Sequence, residues 1–312
     1  MTSTEWIPTG ATAGAFAFVD GALDRADHLR DTPDALAAMW PRARVLLLDD
    51  DGRALADDAQ RLLVVTGDTL EGMPAGAVFL GLHDKQGWFA ARAEVVAIAA
   101  PQRVDLRAAA AQWSVLEAGA FAQARAVLQW HARHRHCGVC GGDVQFVRAG
   151  WLGRCAQCGS EHYPRTDQAI IAAVTDGRRL LLGRQTGWPP KRYSVLAGFV
   201  EPGESLEQTV AREVHEESAV RVHACRYLAS QPWPFPGSLM LGFLALAHPD
   251  EPVAGDELED VRWFDVDEVR AGLARDWATP MADDEPGIAL SPPISIARWL
   301  VERWLAEYGA DA

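Results

Sequence analysis

The sequence predicts an α/β protein in which a mixed sheet lies between helices, preceded by a small four-cysteine module and a β-rich N-terminal domain. Three observations support this prediction. Short apolar runs precede residue 106, two Cys-x-x-Cys pairs lie near the middle, and strand-like segments alternate with helical ones after residue 166. A chain of 312 residues, 49% of them hydrophobic, is long enough for two globular units and a small module.

The N-terminal domain, residues 1–106, contains apolar runs separated by Asp, Gly and Pro, a pattern typical of strands and turns. The runs are 44–48, 61–66, 77–82 and 88–98. They contain no cluster of carboxylates on a helix, so we interpret this domain as non-catalytic. Residues 107–134 are rich in Ala, Leu, Gln and Arg, a composition that predicts a connecting helix.

The four-cysteine module spans residues 135–165, with two Cys-x-x-Cys pairs separated by fourteen residues: Cys137, Cys140, Cys155 and Cys158. This spacing is typical of a structural zinc site, in which four thiolates form a closed tetrahedron without an open position for catalysis. Two disulfides or a redox dithiol are the alternatives. Zinc is favoured because residues 1–10 show no secretory signal and Cys225 has no motif partner.

The C-terminal domain, residues 166–312, begins with apolar strand-like runs and ends with a helix predicted over 294–308. The predicted strands are 169–174, 179–183, 194–199, 221–229, 239–246 and 260–264. Proline and acidic residues from 279 to 293 predict an irregular loop.

One helix of this domain combines a strong start signal with clustered carboxylates. Ser205 and Gln208 form a capping-box pattern after Pro202-Gly203, and an apolar stripe follows at Leu206, Val210 and Val214. On another face, three glutamates stand three and four residues apart, where their charges would converge: Glu213, Glu216 and Glu217. A divalent cation with hard oxygen ligands would offset their repulsion. A solvated acidic helix face is the alternative.

Residues 198–220 resemble the box motif of the Nudix hydrolases. The matching positions are Gly198, Glu204, Arg212, Glu213, Val214, Glu216, Glu217, Ala219 and Val220. The resemblance implies a Nudix α/β/α sandwich with a mixed sheet, and hydrolysis of a nucleoside diphosphate linked to another group. Ala219 stands where the family has Gly after the helix, at a position that often needs left-handed backbone; it removes no ligand.

The same resemblance implies a catalytic site for Mg²⁺ or Mn²⁺. Its main ligands would be Glu213 and Glu217, with Glu216 in addition. The backbone carbonyl of Ala197 and the distal Glu257 would complete it. Arg212 would pair with a neighbouring glutamate and fix its rotamer, because a guanidinium fork orients a carboxylate well.

Residues 230–238, Ser-Gln-Pro-Trp-Pro-Phe-Pro-Gly-Ser, resemble the signature of the NADH pyrophosphatases within the Nudix family. The same resemblance implies that the β-rich residues 1–106 form an NADH-pyrophosphatase-like domain. Alternating prolines remove backbone donors, which predicts a fixed loop or edge strand. The resemblance implies that the segment lines the substrate pocket, through Gln231, Pro232, Trp233, Pro234, Phe235, Pro236, Gly237 and Ser238. Trp233 and Phe235 would form an apolar wall, while Gln231 and Ser238 would offer hydrogen bonds. A Pro-rich turn with core aromatics is the alternative.

Three further substrate contacts are implied by the resemblance. Phe199 and Tyr163 would stack on the dinucleotide rings, with core packing as the alternative for each, and Ala297 would offer a backbone contact. Some relatives have an acidic substrate contact just before the tryptophan that matches Trp151, whereas this chain has Gly150. The substrate contacts made by the zinc-ribbon module are therefore expected to differ from those of such relatives.

These features predict an NAD⁺/NADH diphosphatase that forms AMP and nicotinamide mononucleotide. Removal of an NAD cap from the 5′ end of RNA, which breaks the same bond, is one alternative, and a non-catalytic zinc-ribbon and Nudix binding module is another. A net charge of −14 argues against a broad electrostatic grip on RNA. No membrane-spanning segment is expected, the predicted location is cytoplasmic, and the resemblance implies a homodimer.

Overall fold

The computed structural model describes residues 14–21, 23–96 and 98–309, and they form two compact units. The N-terminal unit comprises residues 17–166 together with the short segment Trp233–Gly237. The C-terminal unit comprises 14–16, Asp167–Pro232 and 238–309. Residues 1–10, on which the prediction about a secretory signal rests, lie outside the described residues. No helix within the described ranges is long and apolar enough to cross a membrane.

The N-terminal unit begins with helix α1 (Pro33–Met39) and a six-stranded mixed sheet. Its strands are β1 (Arg44–Leu48), β2 (Ala54–Ala56), β3 (Val65–Thr66), β4 (Val78–His83), β5 (Gln86–Arg92) and β6 (Gln102–Val104). The sheet order is β4-β5-β1-β2-β6, with β3 on β1 and with β1 parallel to β5. The β-rich prediction is confirmed, although the runs 61–66 and 88–98 form shorter strands than expected.

Two helices follow where one connecting helix is predicted, α2 (Leu106–Gln112) and α3 (Val115–Arg133). Each has its own N-cap. The carboxylate of Asp105 accepts from two backbone N–H groups of α2, and the hydroxyl of Ser114 accepts from Glu117 N. The helix is interrupted at Trp113 because the side chain of Ser114 bonds a free backbone N–H at the start of α3, which favours a second helix beginning there.

The four-cysteine segment forms a three-stranded antiparallel sheet, with strands β7 (Val144–Val147), β8 (Leu152–Cys155) and β9 (Glu161–His162). Two contacts fasten it to the rest of the N-terminal unit. Trp151 Nε1 donates to Phe79 O over 2.7 Å, and Arg148 Nε donates to both oxygens of Asp31 over 3.0 Å.

The C-terminal unit contains a second mixed six-stranded sheet and three helices. Its strands are β10 (Asp167–Thr175), β11 (Leu180–Gln185), β12 (Leu196–Phe199), β13 (Val222–Trp233), β14 (Ser238–Ala247) and β15 (Leu258–Phe264). Its helices are α4 (Leu206–Ser218), α5 (Val266–Ala274) and α6 (Ile296–Tyr308). The strand order is β13-β14-β10-β11-β15, with β12 on β10 and with β10 parallel to β14.

The second sheet lies between helices, as predicted. Val210 and Val214 of α4 share a core cluster with Ile170 and Leu241. The adjacent Gly242 instead faces α6, because a Cβ there would lie 2.9 Å from Ile296 Cδ1. Since successive strand residues point to opposite faces, α4 and α6 cover opposite sides of the sheet.

Strand β13 runs further than the predicted 221–229, because it continues through Pro232 to Trp233. It lies at one end of the sheet, the position in which a strand tolerates proline, and this agrees with the predicted edge. Helix α5 was not predicted from the sequence. It begins with a capping box between Asp265 and Glu268.

Ala219 ends α4 in the left-handed conformation, with φ 59° and ψ 6°. Its N–H donates to His215 O over 2.7 Å and so closes the helix. We therefore expect Ala219→Gly to raise the free energy of unfolding by about 0.5–1 kcal/mol, since glycine adopts this conformation without a Cβ clash. Urea denaturation measures the change. Ala211→Gly, within the same helix, serves as the control and should lower it by about 1 kcal/mol; destabilisation by Ala219→Gly would contradict the strain argument.

Candidate active site and structural metal centre

Helix α4 carries its metal-site carboxylates beside its buried stripe and not on a separate outward face as predicted, because Glu217 is only 5% exposed and the side chain of Glu213 is only 15% accessible. The predicted capping box is present, since Ser205 Oγ accepts from Gln208 N over 3.3 Å and Gln208 Oε1 accepts from Ser205 N over 2.8 Å. Val210 and Val214 are fully buried against the sheet. The packed stripe and the cap fix the rotation of α4, so its glutamates project from a rigid mount.

Glu217 is a buried carboxylate whose hydrogen bonding is incomplete. Glu217 is only 5% exposed, and the backbone N–H of Ala197 donates a hydrogen bond to its carboxylate. Oε2 is buried and has no hydrogen-bond partner within the described ranges. Burial, followed by the charges of Glu213 and Glu257, raises the pKa of Glu217 to about 8. An oxygen donor in this state is suited to a bound cation, which would balance its charge.

Glu213 lies against the backbone of β12 at Gly198. A Cβ on Gly198 would fall 1.9–2.2 Å from the Glu213 carboxyl atoms, so only glycine leaves room for this carboxylate. Gly198 is itself held in register opposite Ile170 of β10. Burial raises the pKa of Glu213, and the adjacent Arg212 partly offsets this.

A loop fastened to the end of α4 carries the distal acidic residue. Gly255 N donates to Glu217 O over 3.0 Å, and Val253 N donates to Ser218 O over 2.9 Å. A Cβ on Gly255 would lie 2.3 Å from Glu216 O, so glycine permits this close approach. The loop brings the charge of Glu257 close enough to raise the pKa of both Glu213 and Glu217.

Arg212 joins four parts of the motif. Its guanidinium donates two hydrogen bonds, of 2.6 and 2.8 Å, to the carboxylate of Glu204. It also lies 2.9 Å from the carboxylate of Glu216, 3.0 Å from that of Glu213 and 3.0 Å from the carbonyl oxygen of Phe199. The Arg212 fork lowers the pKa of Glu204 to about 2. The sequence analysis gave Glu204 no role of its own, although its place in the box motif was the available signal. Glu216 is the most exposed of the three helix carboxylates, with 58% of its side chain accessible.

The four motif cysteines converge on one point in the N-terminal unit. Their sulfurs all lie within 4.8 Å of one another, with 3.7 Å between Cys137 and Cys158 and 3.5 Å between Cys140 and Cys155. The five cysteines of the described residues are free. These separations exceed the roughly 2 Å of a disulfide bond and match thiolates around one ion, so the donor set fits structural zinc.

Backbone and side-chain donors support the cysteine cluster. Val139 N donates to Cys137 Sγ and Gln157 N donates to Cys155 Sγ, each over 3.4 Å. Hydrogen bonds from Ser160 lower the pKa of Cys158 to about 6, which favours the thiolate that a metal requires. His162 Nε2 lies 3.3 Å from Cys137 Sγ, a contact that the sequence analysis missed because it depends on the pairing of β8 with β9.

The two predicted stacking rings are accessible. Phe199 in the C-terminal unit is 59% exposed, and Tyr163 in the N-terminal unit is 62% exposed. The hydroxyl of Tyr163 donates to Glu161 over 2.7 Å. Neither ring is packed in a core, so the structure leaves the predicted stacking role open to both.

The proline-rich segment divides between the two units. Gln231 is fully buried, and its amide bonds Ile294 O at 2.8 Å and Ile296 N at 2.9 Å, which fixes the turn before α6. Ala297 N donates to Ser295 Oγ over 3.0 Å. Trp233 and Phe235 pack against the core of the N-terminal unit. Pro232 and Pro236 are exposed, whereas Pro234 and Ser238 are buried.

Three protein-family models match successive parts of the chain. They describe an NADH pyrophosphatase-like rudimentary NUDIX domain over residues 42–130, an NADH pyrophosphatase zinc ribbon domain over 132–163 and a NUDIX domain over 164–284. The first of these models describes the N-terminal region as NADH pyrophosphatase-like, which is what the resemblance implies, and adds that it is a rudimentary NUDIX domain.

Similar proteins extend these matches. The NAD-capped RNA hydrolase NudC of Mycobacterium tuberculosis (strain H37Rv) is 41% identical over 292 residues, which cover 91% of this chain and 92% of that protein. The human NAD-capped RNA hydrolase NUDT12 is 41% identical over 200 residues, 61% of this chain and 42% of that protein. The crystal structure of a NUDIX hydrolase from Nitrosomonas europaea aligns with a TM-score of 0.44 and 24% identity, over 56% of this chain and 92% of that one.

The motif geometry, the family models and the relatives that are 41% identical define a Nudix hydrolase. Within that superfamily, the chain belongs to the NADH pyrophosphatase family whose members carry a zinc ribbon.

Cys137→Ser should reduce bound zinc and lower the thermal midpoint, because a structural zinc ion contributes its binding energy to folding. Metal analysis of purified protein and thermal unfolding measure both effects. Cys225→Ser is the control, since Cys225 lies outside the sulfur cluster. Parental zinc content and stability in Cys137→Ser would contradict the four-thiolate assignment.

Proposed function

We propose that this protein hydrolyses the pyrophosphate bond of NADH, and also of NAD⁺, to AMP and the corresponding nicotinamide mononucleotide, with Mg²⁺ or Mn²⁺ as cofactor. One observation carries the proposal. In a member of the NADH pyrophosphatase family, the buried Glu217 keeps an oxygen without a partner in the described structure and faces the charges of Glu213 and Glu257. Buried carboxylates so arranged are stable only when protonated or bound to cations.

The residues that would hold the cations are Glu213, Glu217 and Glu257, with Glu216 and the carbonyl of Ala197 in addition. All offer oxygen donors, which Mg²⁺ and Mn²⁺ prefer. When bound, such cations neutralise the charge of the pyrophosphate and lower the pKa of the attacking water.

Side chains of the protein would position the carboxylates and accept the proton of the attacking water. Arg212 holds Glu213 and Glu216 through its contacts at 3.0 and 2.9 Å, so the carboxylates do not have to reorganise during the reaction. We assign Glu217 as the general base, because cation binding beside it would displace its proton and leave a buried carboxylate facing the same cluster. Tyr163, Phe199, Ala297 and the segment 231–238 are proposed as the substrate-binding groups, with Gln231 acting through the turn that it fixes before α6.

Removal of the NAD cap from RNA is a second proposed activity. The support is the 41% identity to proteins named NAD-capped RNA hydrolases in M. tuberculosis and in human. The reaction breaks the same bond with a longer leaving group. Because the net charge is −14, we expect the protein to contact the capped end and not a long stretch of RNA backbone. Family resemblance also supports the proposal that the protein acts as a homodimer, and a cytoplasmic location stays a prediction from the sequence.

Product chromatography tests the activity directly. Purified protein with Mg²⁺ or Mn²⁺ is incubated separately with NADH, NAD⁺, ADP-ribose and an NAD-capped RNA oligomer. We expect AMP and reduced nicotinamide mononucleotide to form fastest from NADH. Faster turnover of the RNA would make cap removal the main activity, whereas no cleavage of any substrate would favour a non-catalytic binding module.

Glu217→Gln should lower kcat on NADH by about 10²- to 10³-fold, because a preorganised charge at the reacting site is lost. Without Mg²⁺ or Mn²⁺, the variant should be no less stable than the parent at pH 8. Because the pKa of Glu217 is raised from 4.5 to about 8 in the folded protein, the unfolded chain loses this proton more readily, and the free energy of unfolding falls as pH rises from 4.5 to about 8. Glutamine does not ionise, so the variant does not incur this loss.

Steady-state kinetics measure the first effect, and thermal unfolding of protein freed of Mg²⁺ and Mn²⁺ but retaining its zinc measures the second. Glu207→Gln, an exposed carboxylate in the first turn of the same helix, is the matched control and should change neither. Parental activity in Glu217→Gln would exclude Glu217 from the reaction.

A further inference from the structure

The loop Trp233–Gly237 has an unusual place in the fold. It connects β13 and β14, both strands of the C-terminal unit, yet its residues cluster with the N-terminal unit. Trp233 and Phe235 pack against the core that contains Phe18 and Phe121. The loop belongs to the segment proposed above to bind substrate, so whatever fixes its conformation bears on the reaction.

Two arginines of the N-terminal unit hold this loop. Arg125 of α3 donates through Nη1 to the carbonyl of Pro234, and its guanidinium lies 5.0 Å from the centre of the Phe235 ring. Arg107 of α2 lies 4.0 Å from the same ring and 5.8 Å from that of Trp233. The two rings are 4.9 Å apart. Cation–π contacts therefore add to the backbone hydrogen bond.

The loop needs such external support. Pro234 and Pro236 have no backbone N–H, so the loop after β13 cannot be held by a regular ladder of hydrogen bonds. The buried Pro234 still has a carbonyl that requires a donor. Arg125 supplies that donor and a planar surface for the aromatic ring, a combination that lysine cannot reproduce.

The arrangement is electrostatically unfavourable. Burial, and then the charges of Arg107 and Arg133, lower the pKa of Arg125, while the charge of Asp105 acts in the opposite direction. An apolar side chain would pack here without desolvating a charge beside two others. A requirement for one fixed loop conformation accounts for the arginine better than stability does.

We infer that Arg125, assisted by Arg107, is a positioning residue for dinucleotide hydrolysis, which fixes the backbone of the loop Trp233–Gly237. The inference rests on the proposed function, because it concerns the binding of that same substrate.

The test compares Michaelis kinetics on NADH for the parent, Arg125→Met, Arg125→Lys and Arg107→Met. Arg133→Met is the control, because it removes an exposed cation from the same helix. We expect Arg125→Met to raise KM about tenfold while kcat changes less than about threefold, since a lost positioning contact weakens binding more than chemistry. Arg125→Lys should restore part of the affinity, Arg107→Met should give a smaller rise in KM, and Arg133→Met should match the parent.

Thermal unfolding of each variant separates positioning from folding. If Arg125→Met does not fold, the KM of the exposed Arg107→Met decides the question. An unchanged KM in the folded variants, or a loss of kcat that follows only the loss of folded protein, would overturn the inference. A parent that does not hydrolyse NADH would overturn the proposed function and this inference together, whereas an active parent with variants of parental KM would overturn this inference alone.

Discussion

The buried carboxylate of Glu217 is the constraint on which the active site depends. Helix α4 and strand β12 together remove this group from water; the N–H of Ala197 donates to the carboxylate, while Oε2 has no hydrogen-bond partner among the described residues. Burying a charge without a partner is costly, so the folded protein favours either a proton or a cation at this position. The fold thereby maintains a site whose proton a divalent metal can displace.

The surrounding residues keep this arrangement from relaxing. Gly198 and Gly255 allow the carboxylate of Glu213 and the backbone of Glu216 to approach where any side chain would clash. Arg212 ties Glu204 to the carboxylates of the helix, and the loop at Gly255 is bonded to Glu217 O. Groups from β12, α4 and the 253–257 loop therefore meet at one place.

Local signals in the sequence predicted the parts that depend on local physics. The cap at Ser205, the buried stripe of α4, the left-handed Ala219 and the convergence of the four cysteines all follow from patterns within a few residues. The break between α2 and α3 and the helices α1 and α5 were missed, although Ser114 and Asp265 are recognisable caps. The position of Arg125 beside Phe235 could not be predicted, because these residues are 110 positions apart in the chain and meet only through tertiary packing.

The proton balance of metal binding tests the central claim most directly. Titration of protein that retains its zinc but is free of Mg²⁺ and Mn²⁺ with Mn²⁺ in a calorimeter, at pH 7 and in buffers of different ionisation enthalpy, counts the protons released. Because the pKa of Glu217 is about 8, its carboxyl is mostly protonated at this pH, and we predict release of about one proton per protein on binding. A binding enthalpy that is independent of the buffer would show that no proton leaves, and it would contradict the assignment of Glu217 as a buried ligand.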